Sequence, residues 1–212
     1  QGVVMGTDEM YWPVDTDDTA VAKYVATTVF TGVPAIGANF IDGPQSHSII
    51  TKAWLDFYHF HQVALTRGIF KPIGDFVEPD QKIESPQEAF IYLRSGHTLE
   101  VNLDGRPNTM FLANCTEADS IQLSLNGLEE GEYELELLDP YLKTLGARIL
   151  RLANRATIAE SVPQGGMLKI QRKHSPRQDV EDHENRVRPT RHFGNSSLNN
   201  PASVPSTPRI SR

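Results

Sequence analysis

Residues 121–137 read IQLSLNGLEEGEYELEL. Ile121, Leu123 and Leu125 alternate with Gln122 and Ser124, and Tyr133, Leu135 and Leu137 alternate with Glu134 and Glu136. Period-two alternation puts the apolar side chains on one face, so both runs predict strands covered on one side and solvated on the other. Asn126-Gly127 between them is turn chemistry. The same reading extends outward in both directions. AFIYL at 89–93, TLEVNL at 98–103, TMFLA at 109–113, RILRL at 148–152 and MLKI at 167–170 are strand-like. Ser95-Gly96, Asp104-Gly105, Asp139-Pro140 and Gly165-Gly166 punctuate them. Gly165-Gly166 is a turn and not a phosphate loop, since no G-K-[ST] follows. Roughly seven or eight strands at this spacing predict an antiparallel β-sandwich over residues 80–173.

Residues 1–79 have a different period. GVVMG at 2–6 is a short apolar run that predicts a strand. Asp15-Thr16-Asp17-Asp18 then offers N-cap and first-turn acids for a helix. Val21, Tyr24, Val25, Thr28 and Val29 form its apolar stripe, Gly32 suits its C-terminus, and Pro34 stops it. VPAIGANF at 33–40 predicts a second buried strand, followed by the turn Asp42-Gly43-Pro44. Ser46 is placed to cap a second helix whose stripe is Ile50, Ala53, Trp54, Phe57, His61, Ala64 and Leu65, ending at Gly68. Alternating strands and helices predict a parallel sheet with helices outside. Two such units cannot close a barrel of about 250 residues, so the segment reads as part of a larger one.

The tail differs again. Residues 174–212 hold six Arg, four acids and five of the 14 Pro, without any apolar period. Such a stretch buries too little apolar surface to offset its ordering entropy and is expected to be disordered. It carries +2, which leaves −9 on residues 1–173 of a chain whose formal charge is −7. The acidic balance, with a pI near 5.5, argues against a nucleic-acid binder. No apolar run reaches the roughly 18 residues of a membrane span. No charged segment leads into an apolar signal-peptide core, and the chain starts at Gln1 without Met. A start inside a longer protein and a cytoplasmic, reducing location are the expectations. The lone Cys115 excludes an internal disulfide and a cysteine-based zinc cage. It reads as a buried structural thiol. His59 and His61 are i and i+2 on a helix, about 200° apart, and cannot share one ion. Asp15, Asp17 and Asp18 lack the Gly and terminal Glu of a calcium loop.

Three stretches carry a resemblance: TDEMYWP at 7–13, FTGVP at 30–34, and the helix and exit marked by His47, Ile50, Trp54, Phe57, Tyr58, His61, Leu65, Gly68, Phe70 and Pro72. Together they resemble the end of the catalytic barrel in melibiase-like α-galactosidases of glycoside hydrolase families 36 and 27. The resemblance is specific over residues 7–72. It implies the last βα units of a (β/α)8 barrel (residues 1–79), then the C-terminal antiparallel β-sandwich (80–173), then the disordered tail. It implies retaining hydrolysis of terminal α-galactosides by two carboxylates, with no metal or organic cofactor. The family's nucleophile, an Asp in a Lys-x-Asp context, is expected upstream, because no Lys-x-Asp occurs in this chain. The chain alone is therefore expected to be inactive. Asp8 matches the acid/base position best, with Glu9 as the fallback. Tyr11 and Trp12 are open to two roles, stacking on a sugar or packing at the barrel rim. Asn39 and Asp42 follow the second strand as candidate partners of sugar hydroxyls, or serve the turn. The expected partner is an oligosaccharide or glycoside substrate, with no nucleic acid and no membrane; oligomerisation stays open. The alternative is a carbohydrate-binding or structural β-sandwich module without catalysis. Its platform candidates are Phe90, Tyr92, Phe111, Tyr133 and Tyr141.

Overall fold

The computed structural model describes residues 10–74, 79–96 and 98–173, and these contain two helices followed by ten strands. The predicted strand at 2–6 and the predicted disorder of the tail lie outside the described residues. Helix α1 runs Asp18–Thr31, and its N-cap Asp17 accepts from the Ala20 amide at 2.9 Å. That contact satisfies one of the orphan amides of the first turn. Helix α2 runs Gln45–Arg67 and stops at Gly68, whose amide donates to the Ala64 carbonyl. Its N-cap is Pro44, with no side-chain cap, so Ser46 is not the predicted cap. Ser46 instead lies near Asp18 of α1 and helps to lower the pKa of its carboxyl. The run at 33–40 is not a strand either. Val33 and Ile36 make only isolated bridges, that of Ile36 running parallel to Met10.

The strands are β1 (Ile69–Ile73), β2 (Asp80–Glu84), β3 (Glu88–Leu93), β4 (Thr98–Asn102), β5 (Thr109–Asn114), β6 (Ile121–Asn126), β7 (Gly131–Leu138), β8 (Thr144–Leu152), β9 (Ala156–Glu160) and β10 (Met167–Arg172). They form a seven-stranded sheet, β1-β2-β3-β5-β10-β7-β8, and a three-stranded sheet, β4-β6-β9. An all-antiparallel arrangement is corrected here. β3 runs parallel to β5, with Phe90 opposite Phe111, and β4 runs parallel to β6. Each parallel pair skips a strand in sequence: β4 lies between β3 and β5 but belongs to the other sheet, as does β5 between β4 and β6. A chain that alternates between two sheets returns to each in the same direction.

Two cores result. Ala89, Ile91, Leu93, Met110, Leu112, Leu168 and Ile170 of the larger sheet pack with Leu99, Val101, Leu123, Leu125 and Ile158 of the smaller one. The opposite side chains, Phe90, Tyr92, Phe111, Ala113 and Met167, pack with both helices. The central strands β3, β5 and β10 are thus covered on both faces, which explains why AFIYL and TMFLA are continuous apolar runs. β6 and β7 keep one wet face, as IQLSL and YELEL imply. At the helix–sheet seam, Phe30, Trp54, Phe57, Phe90 and Phe111 form an aromatic cluster, with Phe57 and Phe111 centroids 5.2 Å apart. β1 joins the larger sheet from within residues 1–79, pairing antiparallel with β2. All described residues fall within one compact unit.

Candidate functional site

The parallel bridge organises the candidate site. The Met10 amide donates to the Ala35 carbonyl and the Gly37 amide to the Met10 carbonyl, both at 2.9 Å. Two segments running side by side in one direction carry their downstream residues to the same end. The segment after Met10 bears Tyr11 and Trp12, and the segment after Ile36 bears Asn39 and Asp42. α1 and α2 begin there too, with Asp18 at the start of α1 near Ser46 at the start of α2.

Asp8 and Glu9, the acid/base candidates, lie outside the described residues. The other four sit at this rim in different states. Tyr11 is 75% exposed. Trp12 is buried, stacked on Tyr24 with centroids 6.4 Å apart and edge-on to Phe40 and His47. Its packing is that of a rim core residue. Asn39 and Asp42 are exposed and bonded to each other: Asn39 Nδ2 donates to Asp42 Oδ2 at 3.0 Å. Asn39 Oδ1 accepts from the Ile41 and Asp42 amides, so it builds the turn. One Asp42 oxygen is left for other partners. The turn lifts Ile41 to 93% exposure beside Phe40. Polar and apolar surface are therefore adjacent.

Beneath the rim lies a network that sequence reasoning missed. Trp12 Nε1 donates to His47 Nδ1 at 3.2 Å, and His47 Nε2 lies 2.9 Å from the Thr16 carbonyl. An indole N–H only donates and a carbonyl only accepts, so Nδ1 accepts from Trp12 and Nε2 donates to Thr16. Asp18 accepts from the Tyr141 hydroxyl in the β7–β8 loop, and this bond holds its carboxyl below the usual range. The neighbouring Ser46 hydroxyl acts in the same direction, and burial opposes it. A carboxyl kept ionised cannot serve as a general acid, so Asp18 is a clamp between both helices and the loop. Trp54 Nε1, donating to the Pro140 carbonyl at 3.1 Å, fastens the same loop. The signal for His47 was a polar residue on the buried stripe of α2, one turn before Ile50. Nothing in Asp139-Pro140-Tyr141 announces a contact with a helix 123 positions away.

The remaining candidates are structural. His61 is buried between Phe57, Phe60, Phe90 and Phe111, with Nδ1 2.8 Å from Glu88 Oε1 but outside hydrogen-bond geometry. Desolvation pushes its pKa down, against the pull of Glu88. Burial pushes the Cys115 thiol up to about 12, far from a reactive thiolate. Phe90, Tyr92, Phe111 and Tyr133 are all at most 5% exposed, so none offers a sugar-stacking platform. Among the described residues no cluster of three His, Cys, Asp or Glu could hold a metal ion, and no helix is long and apolar enough to cross a membrane. Neither the family models nor the curated proteins compared with the chain match it.

Proposed function

We propose that the chain is the C-terminal portion of a retaining glycoside hydrolase acting on terminal α-galactosides. The observation that carries this reading is the parallel Met10↔Ile36 bridge, each arm of which leads into a helix. Adjacent βα units would bring their strands together in this parallel sense, and barrel catalysis resides at the end to which such units deliver their loops. In this reading the two-sheet part, which shares a core with these helices, takes the place of the C-terminal β-sandwich of the resembling enzymes. In this mechanism an upstream Asp attacks the anomeric carbon while Asp8 protonates the departing glycosidic oxygen. Asp8, then ionised, takes a proton from the water that cleaves the glycosyl–enzyme bond. Glu9 is the alternative donor. Tyr11, Asn39 and Asp42 border the sugar.

The reading is tested with the longer enzyme, identified from the reading frame upstream. A Lys-x-Asp strand should precede residue 1, and Asp8→Asn should lower turnover of a chromogenic α-galactoside by about 10²–10⁴-fold. Wild-type turnover in both Asp8→Asn and Glu9→Gln enzymes would sink it. The 212-residue chain alone should show no turnover, because one carboxylate cannot run a double displacement.

A further inference from the structure

A cavity of about 510 Å³ opens between α1 and the sheet, lined by Lys23, Tyr24, Thr27, Tyr92 and Gln164 among others. We propose that it binds a neutral, hexose-sized polyol, with Lys23, Gln164 and Tyr92 as polar partners and the Tyr24 ring as its apolar wall. The volume lies in the range of small-molecule sites. Lys23 and Arg94 face Asp17 and Glu117 around it, so the lining has two charges of each sign and favours no ion.

The polar groups are pre-oriented. Lys23 Nζ donates to Gln164 Oε1 and to Glu117 Oε1, both at 2.8 Å. An ammonium has three N–H donors, so one is left for a ligand. Gln164 Nε2 is fixed by the Glu117 carbonyl at 2.9 Å. Thr27 spends its only proton on the Lys23 carbonyl at 2.7 Å, so Tyr92, 2.8 Å away, must donate to Thr27. That leaves the Tyr92 oxygen as an acceptor. Glu117 is a surface arm, its side chain 91% exposed, and a ligand hydroxyl can replace it on Lys23 at little cost. The exposed part of the Tyr24 ring, 41% accessible as a residue, supplies apolar area for sugar C–H groups.

The structure also supplies a readout. Trp12 stacks on Tyr24, whereas Trp54, the other of the two tryptophans, is fully buried. A ligand on Tyr24 should change Trp12 emission. The full chain is titrated with methyl α-D-galactoside, methyl α-D-glucoside and glycerol by fluorescence and calorimetry. Saturable binding of a hexoside is expected, weakened at least tenfold by Lys23→Met and by Gln164→Leu. Circular dichroism checks folding; if Lys23→Met is unfolded, Gln164→Leu and Tyr24→Ala decide. Absence of saturable binding, unchanged affinity in the cavity variants, or loss of binding in Asn39→Ala instead would each overturn the proposal. Failure here leaves the hydrolase reading intact, since that rests on turnover by the longer enzyme.

Discussion

Lys82 is 2% exposed, yet its amine is surrounded by acceptors. Its ammonium donates to Glu84 at 2.5 Å, to the Asn102 carbonyl and to Asp104, while Glu84 accepts the Gly105 amide at 2.6 Å. Removing one partner strands the other. Lys82→Met should cost about 3–5 kcal/mol in urea unfolding, and adding Glu84→Leu should recover much of it. Tyr141 and Asp18 give a pH test. The carboxyl pKa is lowered and the phenol pKa is raised by their mutual bond. The carboxyl's contribution is present above its ordinary value and lost as pH falls through the folded value. The phenol's is present below its ordinary value and lost as pH rises through the folded one. Tyr141→Phe should therefore cost about 1 kcal/mol at neutral pH, and the difference from wild type should close below about pH 4. His61 has the opposite sign to a paired histidine. Its folded pKa is depressed, so stability falls as pH drops below about 6.5 towards that value. His61→Phe should flatten that slope in pH-dependent denaturation.

At the scale of elements, the helices were legible and some strands were not. Asp17, Gly32 and Gly68 act as the caps and stops their residue types predict. Asp17→Ala should cost about 1 kcal/mol by losing the Ala20 amide bond. DQKIE, now β2, lacks apolar alternation because its inward residues Asp80, Lys82 and Glu84 are satisfied by partners far along the chain. IFKPI contains Pro72, tolerated because β1 is a sheet edge. ATIAE, β9, is short and only one of its residues, Ile158, is buried. At 33–40 an apolar run produced isolated bridges in place of a strand. Gly165, with φ of +71°, shows what a turn can require beyond its own geometry. A Cβ there would lie 2.8 Å from the Thr19 carbonyl of α1, so Gly165→Ala should cost about 2 kcal/mol or more through both the left-handed backbone and the clash.

Over the whole molecule, the helices and the larger sheet depend on each other. Phe90, Tyr92, Phe111 and Met167 owe their burial to α1 and α2. Residues 80–173 expressed alone should expose this face, bind an apolar dye and aggregate; a soluble product with one cooperative transition would show that the helices are dispensable. The full chain should unfold with coincident fluorescence and circular dichroism transitions. By itself the sequence determined two helices with their limits, the turns, and a β-rich second part, because caps, glycines and period-two runs act within a few residues. It also determined which strands keep a wet face. Only the tertiary structure decided that strands alternate between two sheets and so pair in parallel, and that the helices cover the larger sheet. It alone placed Tyr141 on Asp18 and Trp12 on His47 and Tyr24. Those outcomes depend on contacts between residues tens of positions apart, whose energy comes from shared burial and mutual hydrogen bonding, and no local pattern encodes them.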